Sequence, residues 1–172
     1  MVVSNEPIED LVREMYARFG LAYYHSEVLH RGLCIILAMS DLLQRDMITC
    51  PRVEEHLANA FPLTLGHVIT DLAGRIPAEY STRLEEALEK RNFLAHHFRF
   101  DRAHLMFQAD AIQRLIEELD GCSAVFSRLD EETTAWSHKR QNELGITDDI
   151  LQPPLRSSIQ ARSWNPSPAG MQ

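Results

Sequence analysis

Residues 90–98 read Lys-Arg-Asn-Phe-Leu-Ala-His-His-Phe and carry the groups best suited to chemistry in this chain. Arg91 offers a planar guanidinium that can grip an oxyanion through two parallel donors. His96 has a side chain that exchanges a proton near neutral pH. Asn92 adds an amide able to orient either a histidine or a phosphate. Together they suit phosphodiester cleavage, with Arg91 stabilising charge in the transition state and His96 moving the proton. Lys90, Arg91, Arg99 and Arg102 oppose only Asp101 over residues 90–104, where His96, His97 and His104 add charge when protonated. The whole chain has 17 Lys+Arg against 25 Asp+Glu, a net charge of −8. Such a local reversal of sign predicts an anion site, and phosphate is the commonest biological anion.

These side chains must be positioned by a helix. At about 100° per residue, Tyr80, Leu84, Ala87, Leu88, Leu94, Ala95 and Phe98 fall on one stripe, with Arg91 in its middle. A guanidinium facing a core needs a carboxylate, a set of backbone carbonyls or an opening to solvent. Asn92 and His96 are four residues apart and share a face beside the stripe. Phe93 points nearly opposite to Arg91, which predicts a second covered surface, either another helix or another subunit. Arg91 and His96 lie roughly 140° apart on an ideal helix. They converge only if the helix end unwinds, if a ligand bridges them, or if a second copy completes the site. The plainer alternative is an Arg-Asn structural tie, with histidines placed favourably at a helix C-terminus.

Apolar spacing predicts the supporting elements. Ile8, Val12, Met15, Phe19, Ala22, Leu29, Leu33, Ile36 and Leu43 recur in steps that argue one long amphipathic helix, or two joined near Gly20. Residues 51–74 read as two short helices. Thr49 and Pro51 open the first, Phe61-Pro62 breaks it, and Gly74 stops the second. A third helix starts near Pro77, or later if Thr82 and Glu85 form a capping box, and ends between Phe98 and Asp101. Leu105, Ala109, Ile112, Ile116, Leu119, Cys122, Phe126, Leu129, Thr133 and Trp136 keep one face over about 32 residues, roughly 48 Å of helix, with Gly121 as a possible bend. No segment alternates with period two and no repeat is present. The fold class is all-α, a four- to five-helix bundle at residues 1–151, with a long C-terminal helix. Residues 152–172 hold half of the chain's 8 prolines, so they read as a flexible Pro/Ser-rich tail, in which Trp164 is a potential docking side chain.

Composition narrows the function further. The acidic balance argues against a protein that coats nucleic acid, but not against an enzyme gripping one or two phosphates. No apolar run approaches the ~18 residues of a membrane helix, and the N-terminus lacks a signal-peptide pattern. Cys34, Cys50 and Cys122 form no CxxC pair, consistent with reduced thiols and a cytoplasmic protein. His96, His97 and His104 have no helical His-x3-His spacing, so no metal is expected. Without a P-loop or a Rossmann glycine pattern, no cofactor is expected. Glu54-Glu55 and Glu117-Glu118 read as solvated faces. His30, on the first helix, is placed to reach the cleft, although a surface role fits it better.

Arg91-Asn92-Phe93-Leu94-Ala95-His96 resembles the R-x4–6-H motif of the HEPN superfamily, with a polar residue directly after the arginine. The resemblance covers roughly residues 8–145 in architecture. It implies a small helical bundle with the motif near the end of a late helix. It also implies a metal-independent endoribonuclease, plausibly a toxin of a toxin–antitoxin pair or a phage-defence effector, working as a homodimer whose two motifs face one cleft. Arg91, Asn92 and His96 would be catalytic, with Lys90, His97, Arg99 and Arg102 binding the RNA substrate. The 2′-hydroxyl would attack the adjacent phosphate and leave a cyclic phosphate. An antitoxin or another regulatory protein is the implied partner. Some members of the superfamily keep the fold without cleaving RNA, so a non-catalytic interaction or nucleotide-sensing module is the alternative.

Overall fold

A computed structural model describes residues 7–40 and 49–145. The proposed tail at 152–172, Trp164 and Leu43 lie outside the described residues. The chain is all-α: α1 (Ile8–Ser40), α2 (Cys50–Ala60), α3 (Leu65–Leu72), α4 (Ala78–His96), a single turn α5 (Phe98–Asp101) and α6 (Ala109–Leu144). No described helix is long and apolar enough to cross a membrane.

The two longest helices, α1 and α6, form the spine and run parallel. Arg18 meets Asp120 at 3.3 Å, His25 meets Ser123 and Ser127 at 2.8 Å, and a Cβ on Gly32 would meet Thr133 at 3.1 Å. The residue numbers rise together along both helices. Met15, Ala22, Leu29, Leu33 and Ile36 of α1 are buried with Ile112, Leu115, Leu119, Phe126 and Leu129 of α6. Each large side chain so covered contributes about 1.5–3 kcal/mol. The long interval between these helices winds through α2 to α5. Arg31 of α1 lies over the Phe61 ring at 5.0 Å, seating the α2–α3 corner on α1. α4 runs back along α6, with Arg83 bonded twice to Glu132 (2.8 and 2.6 Å) and the Tyr80 hydroxyl donating to the Leu129 carbonyl at 2.9 Å.

Several helix ends differ from expectation. Thr49 occupies the N-cap of α2 beside Pro51, but its side chain makes no capping bond. Thr64 does cap, accepting from the His67 amide of α3 at 3.3 Å. The Thr82–Glu85 capping box does not form, because α4 starts at Ala78 and the Thr82 hydroxyl donates to the Ala78 carbonyl inside the helix. Gly20 does not divide α1, which is continuous. Leu105 lies outside α6, in a single 3-10 turn. Gly74, at φ 77°, turns the chain after α3 as the sequence requires.

Candidate functional site

α4 remains helical through His96, and α5 starts at Phe98 after a break at His97. The helix therefore does not unwind to bring Arg91 and His96 together, and the two point roughly 140° apart. Arg91 takes another partner. Its Nη2 lies 3.7 Å from the Glu27 carboxylate of α1, and its Nη1 donates to the Asn92 amide oxygen at 3.4 Å. The Arg91 side chain keeps 25% of its surface exposed and Glu27 keeps 39%. A long, half-exposed pair of this kind is worth at most about 1 kcal/mol, so it orients the guanidinium without locking it.

His30 stands one helical turn beyond Glu27 and is half-buried. Its Nε2 donates to the Leu63 carbonyl at 3.0 Å, which fixes the neutral tautomer. Burial pushes its pKa below the ordinary histidine value, and the charges of Arg31 and Arg91 act in the same direction. Glu27 and the Leu63 carbonyl oppose them. Glu27, His30, Arg91 and Asn92 thus form one partly exposed polar group across α1 and α4.

Asn92, His96, His97, Arg99 and His104 are exposed. Lys90 is exposed beside Phe93 and Cys122, along a shallow groove that Glu89, Glu117 and Glu118 also line. Arg102, expected to bind the RNA substrate, is tied to an acid of its own chain. It donates to both oxygens of Glu118, at 3.2 and 2.9 Å, and its guanidinium lies 5.0 Å from the Phe93 ring centre. The Glu118 bonds hold the Arg102 pKa above its usual value. Phe93 also packs edge-on against Phe98, with ring centres 6.0 Å apart. The cover expected for Phe93 is therefore supplied within its own chain.

Three features at this end of the molecule were not identified from the residue pattern. Glu27 lies 64 positions before Arg91 and carries no local signal. Phe100, inside the basic segment, and Phe107, just beyond it, are 82% and 81% exposed, which becomes visible only once the turn between α5 and α6 is known. Among the described residues, no group of three or more His, Cys, Asp or Glu side chains is placed to hold a metal ion. Comparison of the chain with protein-family models, curated proteins and solved structures gives no match.

Proposed function

We propose that this chain is a metal-independent endoribonuclease of HEPN type that works as a homodimer, as a toxin or phage-defence effector. The observation that carries the reading is the position of Arg91, Asn92 and His96 in the last two turns of α4, Asn92 and His96 exposed and Arg91 partly so, beside the exposed cations Lys90 and Arg99. Arg91 and His96 diverge on one helix, so the reading pairs Arg91 of one protomer with a histidine from its partner across a shared cleft. Arg91 would hold the scissile phosphate and stabilise its charge, with Glu27 steering the guanidinium until RNA displaces it. His96 would accept the 2′-hydroxyl proton as that oxygen bonds to phosphorus; the P–O5′ bond would break, the 5′-oxygen would take a proton from water, and a cyclic phosphate and a 5′-hydroxyl would be left. Exposed Phe100 and Phe107 offer rings for stacking unpaired bases.

The test is RNA cleavage in EDTA, with end-group analysis. Wild type should give cyclic phosphate ends. His96→Ala should lose about 10²–10⁴-fold in rate, as removal of a general base does. Arg91→Ala should lose at least about 10²-fold. Wild-type cleavage undiminished in both variants would end this reading.

The Arg91–Glu27 pair favours a second reading, a non-catalytic interaction or nucleotide-sensing module in which Arg91 ties α4 to α1. In that case Arg91→Ala lowers the melting temperature and wild type cleaves no RNA.

A further inference from the structure

The C-terminal ends of α1 and α6 enclose a cleft of about 580 Å³ that the motif does not use. It lies about 20 Å along α1 from Glu27, at 1.5 Å per residue from Glu27 to Ser40. Among the described residues its apolar lining comes from Ile36, Met39 and the half-exposed indole of Trp136. Among the described residues its polar lining includes Lys139, Arg140 and Glu143, and Arg140 meets Glu143 at 3.3 Å. Lys139 and Arg140 here border a concave apolar wall. The volume falls within the ~300–1,000 Å³ usual for small-molecule sites. An indole and a methionine thioether suit a flat or aliphatic body, and the lysine and arginine suit a terminal anion.

We propose that this cleft binds a small amphipathic organic anion, with its apolar body against Trp136, Met39 and Ile36 and its phosphate or carboxylate at Lys139 and Arg140. The ligand class combines one terminal anion with an apolar body, and a nucleoside monophosphate and a medium-chain fatty acid both satisfy it. The site is independent of the ribonuclease reading and stands if that reading fails.

Calorimetry on the full chain with adenosine monophosphate and with decanoate tests it, using adenosine and decanol as uncharged controls. One of the two anions should bind and its uncharged counterpart should bind at least tenfold more weakly; which anion binds identifies the ligand source. Lys139→Glu, at an exposed position, should weaken that binding at least tenfold. Trp136→Leu should do the same while its circular dichroism remains helical. Arg114→Glu, about 38 Å away along α6, should bind as wild type does. Failure of wild type to bind either anion at about millimolar concentration would overturn the proposal. So would undiminished binding by Lys139→Glu, or equal binding of the charged and uncharged compounds.

Discussion

Arg91 shows how a single residue announces a need without naming what meets it. Its place on the apolar stripe of α4 requires a partner, and that much is legible from spacing alone. The partner, Glu27 at 3.7 Å, comes from another helix and depends on how α1 and α4 dock. For the same reason the tie of Arg102 to Glu118 is hidden in a sequence where Arg102 looks like one more cation of a basic island. His30 yields a prediction at this scale. Its folded-state pKa is depressed, so the unfolded chain binds its proton more readily. Its contribution to stability is complete above the ordinary histidine pKa of about 6.5 and falls as pH drops toward the lower folded value. The melting-temperature difference between wild type and His30→Gln should therefore shrink as pH is lowered from neutrality through this window. A difference that stays constant with pH would show that His30 does not titrate this way.

The elements themselves were largely legible, because amphipathic periodicity runs almost unbroken along α1, α4 and α6. The ends were less so. Thr82 and Glu85 have the form of a cap, yet Pro77 starts the helix a turn earlier, and local pattern cannot rank the two. Contacts between elements give two further predictions. The Tyr80 hydroxyl donates to the Leu129 carbonyl and is paired with the Thr133 hydroxyl, joining α4 to α6. Tyr80→Phe should cost about 1 kcal/mol and lower the midpoint of thermal unfolding by about 2–4 °C. Gly32 sits against α6, where a Cβ would meet Thr133 at 3.1 Å and Asp130 at 3.3 Å. Gly32→Val should therefore destabilise by about 1–3 kcal/mol in urea unfolding. Gly20, in the same helix with open space around it, should instead gain about 0.5–1 kcal/mol as Gly20→Ala.

At the scale of the whole molecule, the proposed shared cleft predicts a particle of about twice the 19.7 kDa chain mass by light scattering. A wild-type mass of one chain at micromolar protein would count against the shared cleft. The parallel course of α1 and α6 has a consequence for the making of the protein. Arg18 and Asp120 are 102 positions apart, as are His25 and Ser127. A ribosome adding about 5–20 residues per second takes about 5–20 s to deliver the second helix after the first. During that interval α1 is outside the tunnel with Met15, Ala22, Leu29 and Leu33 still uncovered by the helix that will bury them. Chaperone demand should thus concentrate on the first helix of the nascent chain and end abruptly when the last one emerges.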